Sequence, residues 1–323
     1  MSNGKKAAEA ATQEKVAAVV ATDAEVMDDA NDGSPSTAVA VREDTVPAGG
    51  LGVFACEGGP TVLDWTWVHL KFEMSQKRPD GNQGEFYLGR DWEAKLCDKG
   101  GSLGVGQMPD PKRRFEFVVV GRKDGYKHYV TQQEFASGVM AKRYYVDPSK
   151  GAKGWQLARQ AALDAGETIG DSAWRDGDPA KGEPRRVGPS ASEFMQLMVL
   201  VKKPEDLDAG HELFSVPLAG EFYAPAYFEF DKLNWRKAYG CMQAVISAEV
   251  NRRRVDPKYE PCIFDKVFWG YSAAVNRNGK VVTTPMMTRA VVDGKPLSLP
   301  KEAIEDLRAV VQGAAAAPDD AEF

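Results

Sequence analysis

This chain lacks the residue patterns that announce a metal, redox or cofactor site. Its four cysteines, Cys56, Cys97, Cys241 and Cys262, are scattered through 323 residues without a Cys-x-x-Cys pair. Spacing therefore gives neither a zinc site nor a disulfide framework, and a reducing intracellular setting is expected. The three histidines, His69, His128 and His211, show no H-x-x-x-H or H-E-x-x-H spacing, so a surface or internally satisfied role is expected of each. No nucleophile elbow or Walker loop is present, and Gly100, Gly101, Gly104 and Gly106 lack the fixed spacing of a phosphate or dinucleotide fingerprint. No cofactor is expected. No run approaches the ~18 consecutive apolar residues of a membrane span, and only Val16 to Ala21 stands where a signal peptide needs a longer core. A soluble, cytoplasmic protein with no membrane partner follows as an expectation.

Aromatic residues are absent from the first 50 positions, which are rich in Ala, Asp, Glu, Ser and Thr. Such a segment buries too little apolar surface to offset chain entropy, so residues 1–50 are expected to form a disordered acidic arm. Charge divides along the chain in the same way. The arm carries nine acids against four bases, and the ending Pro318-Asp319-Asp320-Ala321-Glu322-Phe323 adds three acids. Removing −5 and −3 from the overall −6 leaves +2 on residues 51–317, a mildly basic body between acidic ends. With 43% apolar and 27% charged residues, the chain is able to bury a core. The body is expected over 51–313, as one domain or as lobes 51–190 and 191–313, followed by an acidic tail 314–323.

The firmest structure is expected between Phe194 and Arg254. Phe194 to Val201 is nearly continuous apolar sequence closed by Lys202-Lys203-Pro204, which predicts a strand buried on most of its length. Leu213 to Leu218 predicts another, and Phe222 to Phe230 a third, placed on an edge or at a bulge because Pro225 has no N–H for a central ladder. Trp235, Ala238, Tyr239, Met242, Val245, Ile246, Glu249 and Val250 then follow three-and-four spacing. This predicts a helix over 235–253, with Asp231 able to cap its start and Arg252-Arg253-Arg254 at the favourable end of its dipole. Ile263 to Val275 and Lys280 to Thr284 predict a hairpin closed at Asn276-Arg277-Asn278-Gly279.

Upstream, strands are predicted over Trp65 to Met74, Glu85 to Leu88, Phe115 to Val120 and Tyr126 to Val130, with Asp124-Gly125 turning the chain between the last two. A short helix over 155–165, stopped by Gly166, precedes a long loop over 166–190, where Asp171, Asp176 and Asp178 are expected to be solvated. A last helix is predicted over 301–312. Together these elements predict a mainly β or α+β body: a partly closed antiparallel barrel of OB type with five to seven strands, one long packed helix and disordered acidic termini.

Basic and aromatic residues recur together on the predicted strands. Lys112, Arg113 and Arg114 adjoin Phe115 and Phe117; Arg122 and Lys123 adjoin Tyr126; Lys142 and Arg143 adjoin Tyr144 and Tyr145; and Trp269 and Tyr271 precede Arg277. Single-stranded nucleic acid is held by bases stacked on rings, about 1–3 kcal/mol each, in a groove whose cations follow the phosphates. Strand alternation allows rings and cations to share a face, but it equally allows the same rings to face a core.

The C-terminal Pro-Asp-Asp-Ala-Glu-Phe on an Ala-rich tether resembles the tails of bacterial and phage single-stranded-DNA-binding proteins of OB-fold type. That resemblance covers six residues and implies a body that coats single-stranded DNA without sequence preference. It also implies a tail that docks Asp319, Asp320, Glu322 and Phe323 onto replication or recombination proteins. Homo-oligomers are compatible with it, and a phage-encoded protein would work in the cytoplasm of its bacterial host.

Two other readings use the same residues. A structural or virion-type assembly protein would place the aromatics in its core and interfaces and have no nucleic-acid affinity. A Mg²⁺-dependent nuclease would use Pro79-Asp80 with Glu93-Ala94-Lys95, the outline of a PD-(D/E)xK site in which carboxylates hold the ion and Lys positions water. The leading expectation is a non-enzymatic DNA-binding protein.

Overall fold

A computed structural model describes residues 67–72, 84–89, 92–101, 107–131, 134, 137–170, 173–178, 180, 186–208, 210–259, 261–277 and 280–307. The expected acidic arm, the acidic tail and Asp80 lie outside the described residues. All described residues fall within Arg42–Phe323, the larger of the two units into which the chain divides.

The fold is mainly β. In chain order the strands are β1 (Val68–Phe72), β2 (Phe86–Leu88), β3 (Ala94–Cys97), β4 (Arg114–His128), β5 (Arg143–Tyr145), β6 (Arg175–Asp176), β7 (Arg186–Val187), β8 (Ala191–Lys202), β9 (Val216–Leu218), β10 (Glu221–Asp231), β11 (Val267–Arg277), β12 (Lys280–Arg289), β13 (Val291–Val292) and β14 (Lys295–Pro296). Two longer helices are α1 (Ala152–Asp164) and α2 (Lys232–Val255), and residues 301–307 are also helical. Ten strands form one sheet in the order β12-β11-β4-β8-β10-β1-β2-β3, with β5 beside β4 and β9 beside β10. Every neighbouring pair in it is antiparallel except β1 and β10. Its end strands β12 and β3 do not pair with each other. The sheet is therefore open, and larger than the five-to-seven-stranded barrel that the sequence predicts.

Alternation along β8 and β10 sends Met195, Leu197, Val199 and Val201, with Ala224, Ala226, Phe228 and Phe230, to one face. Against it α2 lays Ala238, Met242, Ile246 and Val250, one residue per turn. Each fully buried Phe on this face contributes about 1.5–3 kcal/mol relative to exposure. Part of the opposite face is covered by Leu299, Ala303 and Leu307, which pack on Val118, Leu200 and Trp269. At the far end of β4, Ala158 and Ala162 of α1 pack on Tyr126 and Ala191.

The expected β8 strand, the α2 helix and the β11–β12 hairpin are present, with Arg277 paired to Lys280, while Asn278 and Gly279 lie outside the described residues. Three expectations need correction. Asp124-Gly125 is not a turn, because β4 runs through it without a break. Asp124 is paired with the buried Arg122 at 2.6 Å, and an added Cβ at Gly125 would overlap the Tyr144 carbonyl oxygen. Gly125 thus serves the close approach of β5. Second, β10 is an interior strand; Pro225 fits because it falls between Tyr223, the last residue paired with β9, and Ala226, within the β1 pairing. Third, the segment after α1 is anchored: Ile169 bridges Ala191, Glu167 and Ile169 are buried, and β6 pairs with β7. Asp231 stands at the N-cap of α2 but makes no cap hydrogen bond there, its carboxylate lying 3.9 Å from Lys127 instead.

Candidate nucleic-acid interface

The residues singled out in the sequence separate into two groups. Lys112, Arg113, Arg114, Phe115 and Phe117 lie at one end of β4, with Trp269 and Tyr271 of β11 paired beside them. Arg122, Lys123, Tyr126, Lys142, Arg143, Tyr144 and Tyr145 lie at the other end, with β5. From Arg114 to Lys123 the strand covers about 30 Å, so no short ligand reaches both groups. Arg277 lies at the hairpin end of β11.

Five of the seven rings are core. Phe115 (4% exposed) and Phe117 (1%) pack against Phe228, Trp269 (1%) lies under the C-terminal helix, and Tyr126 and Tyr271 are also buried. The expectation that these rings offer a stacking surface is corrected by their burial. Gly270 lies beneath the Phe115 ring, and the Arg114 guanidinium stacks on Trp269 at 3.5 Å. Lys112, Arg113 and Lys142 are exposed, and Arg122 is buried. Tyr144 is half-buried and its hydroxyl donates to Glu167 at 3.1 Å.

What remains is a strip on the sheet face away from α2. Register aligns Tyr145 of β5 with Gly125 of β4 and Phe194 of β8. Four residues further along β8, it aligns Met198 with Tyr227 of β10 and His69 of β1. Tyr145 is 49% exposed and meets Phe194 edge-on at 5.8 Å, so the buried Phe194 is a floor rather than a contact surface. Trp67 stacks on Tyr227 at 5.3 Å and 29°, and His69 lies 5.5 Å from the same ring. Trp67 and Tyr227 are half-buried and His69 is exposed.

One cation lies against Tyr145, and two more lie against other rings. The Lys123 ammonium lies 5.7 Å from the Tyr145 ring centre, Lys71 lies 5.4 Å from that of Trp92, and Lys232 lies 3.7 Å from that of Tyr129. Lys127 of β4 pairs with Glu229 of β10 across the intervening β8, and Arg143 meets the same carboxylate at 3.0 Å. Burial opposes ionisation of Glu229, yet these two cations hold its carboxyl below the usual range. Burial, reinforced by nearby Tyr145, raises the Tyr227 hydroxyl. Lys123, Lys127, Arg143 and Lys232 thus stand beside Glu229 and Asp231, an excess of two positive charges.

A buried node fixes β5 in place. Glu167 accepts hydrogen bonds from the Tyr144 hydroxyl and, at 2.6 Å, from the Ser190 hydroxyl, while His128 Nδ1 lies 2.8 Å from its carboxylate. Burial opposes ionisation of Glu167, but Ser190, His128 and Tyr144 together hold its pKa below the ordinary 4.5. Tyr145 therefore projects from a strand tied by both backbone pairing and this carboxylate.

Glu93 immediately precedes β3, and Lys95 lies within it, but the Lys95 ammonium is engaged by Glu85 at 2.7 Å and Asp98 at 2.6 Å. Among the described residues no group of three or more His, Cys, Asp or Glu is placed to hold a metal ion, and no helix is long and apolar enough to cross a membrane. Sequence reading missed Trp67, His69, Lys71, Lys127, Phe194 and Tyr227 as interface candidates. One signal was available: Tyr227, Glu229 and Asp231 alternate with Ala226, Phe228 and Phe230, which marks a strand with one polar face. Comparison with protein-family models, curated proteins and solved structures finds no match to this chain.

Proposed function

We propose that this chain is a non-enzymatic protein that binds single-stranded DNA without sequence preference and serves replication or recombination in the cytoplasm. Its strip would be the counterpart of the groove of an OB-type barrel, and its acidic C-terminal residues would dock a partner protein. The observation that carries this reading is the placement of Tyr145, Tyr227, Trp67 and His69 across one sheet face, with Lys123, Lys127, Arg143 and Lys232 against two carboxylates. Unpaired bases offer flat faces to such rings, whereas duplex DNA keeps those faces stacked inside. The Lys and Arg side chains supply a sequence-independent attraction for phosphates.

A mobility-shift assay at low salt with an oligothymidylate of about 30 nucleotides tests it. Binding that weakens as salt rises is expected, and absence of binding ends the proposal. The burial of Phe115, Phe117, Tyr126, Trp269 and Tyr271 favours a second reading, a structural or assembly protein of virion type. Discrete oligomers in light scattering, without nucleic-acid affinity, would select that reading.

A further inference from the structure

We infer that the strip holds only a short stretch of single strand, about four to seven nucleotides, and holds it chiefly by stacking rather than by charge. This inference rests on the proposed function and adds the length and character of its ligand. The candidate contacts run across the strands, from Tyr145 on β5 over β4, β8 and β10 to His69 on β1. Four inter-strand steps of about 4.8 Å make about 19 Å across the strands, and the four-residue offset from Phe194 to Met198 adds about 13 Å along them, so the diagonal is about 23 Å. Successive phosphates of a stacked strand are at least about 3.4 Å apart, so this span accommodates at most about seven nucleotides, near the lower end of the ~4–16 that single-strand-binding folds occupy.

The basic group at the other end of β4 does not extend this path. Lys112, Arg113 and Arg114 are about 30 Å along β4 from Lys123. Between the two groups that face is occupied by Leu299, Ala303 and Leu307 packed on Val118 and Val120. A strand lying along β4 would meet this apolar cover rather than cations. The path across the strands meets exposed Tyr145 and His69 and half-buried Tyr227 and Trp67.

Charge is the smaller contributor on that path. Lys127 and Arg143 already share Glu229, and Asp231 lies 3.9 Å from Lys127. The net excess of two cations predicts release of about two counterions. On the usual scale for single strands, the slope of log affinity against log salt is then about −1.4.

The test uses the full chain and fluorescein-labelled oligothymidylates of about two to twenty nucleotides. Anisotropy would be read at several salt concentrations, and sedimentation would identify one-to-one complexes. The expected result is a steep rise in affinity up to about seven nucleotides, then growth only in proportion to the number of binding registers, with a salt slope of about −1.4. A further tenfold gain in one-to-one affinity between about seven and fourteen nucleotides overturns the inference while leaving single-strand binding standing. So does a salt slope steeper than about −4. No binding at any length defeats the underlying function instead.

Discussion

Replacing Tyr145 by alanine separates a ring that contacts ligand from rings that hold the core. Tyr145 is 49% exposed, leans on Phe194 at 5.8 Å, and is approached by Lys123. If one base stacks on it, its loss removes about 1–3 kcal/mol of binding energy, a roughly 5- to 150-fold weaker complex. The fold should lose only the aromatic pair with Phe194, about 1 kcal/mol. Phe115→Ala is the counterpart, because Phe115 was an equal candidate in the sequence yet is 4% exposed and packs on Phe86, Phe117 and Phe228. A truncated core phenylalanine costs about 3–5 kcal/mol. At about 2–4 °C per kcal/mol for a domain of this size, its melting temperature should fall by roughly 10 °C, against a few degrees for Tyr145→Ala. Anisotropy with a labelled oligothymidylate at low salt, on samples confirmed folded, gives the binding half; a thermal melt gives the stability half. Tyr145→Phe should keep parental affinity, since the ring remains. The reasoning is refuted if Tyr145→Ala binds within twofold of the parent, or if folded Phe115→Ala is the variant that loses affinity.

Gly125→Ala would force β4 and β5 apart at the Tyr144 carbonyl; a loss of about 1–3 kcal/mol is expected in urea denaturation, with weaker DNA binding. An unchanged midpoint would show that the close approach is not needed. Glu167 ionises more readily in the folded chain than its ordinary 4.5. Its contribution to stability is therefore complete above that pH and is lost as pH falls through the lower folded-state value. Stability measured from about pH 7 downward should decline below about 4.5, and Glu167→Gln should flatten that decline; parallel curves for parent and variant would rule this out. Removing residues 318–323 should leave oligothymidylate affinity equal or higher while abolishing partner capture, and a loss of affinity would contradict a docking role for the tail.

The local elements were legible where one physical pattern dominated. The apolar run of β8, the three-and-four spacing of α2 and the strand pattern of β11 and β12 each gave the correct element, because burial and local propensity agreed. Asp124-Gly125 misled because the same two residues suit a turn and a tight interior strand; the buried Arg122 beside Asp124 and the approach of Tyr144 select the second. The candidate surface was less legible. A ring flanked by basic residues reads alike whether it faces solvent or core, and only pairing partners decide. Phe115 and Trp269 meet covered faces of the sheet, whereas Tyr145 projects from a short strand beyond the reach of α2 and the C-terminal helix.

That decision turns on one residue. Before Val119, β4 and β8 alternate in phase, and Phe115, Phe117 and Val119 share the α2 face with Val199 and Val201. The register shifts between Val119 and Gly121, so that Val120 is extra and Gly121 opposes Met198. With unbroken alternation, Lys123 and Lys127 would point toward α2, and Arg122, Asp124 and Tyr126 would point toward the strip. The bulge reverses this: Tyr126 goes into the packing with α1, Arg122 pairs with Asp124 against the Tyr239 ring, and Lys123 and Lys127 emerge beside Tyr145 and Glu229. A slip of one residue thus determines which charges on β4 a ligand on the strip can meet. Composition does not reveal it, because both registers bury similar numbers of apolar residues upstream, and only the partner strand selects between them.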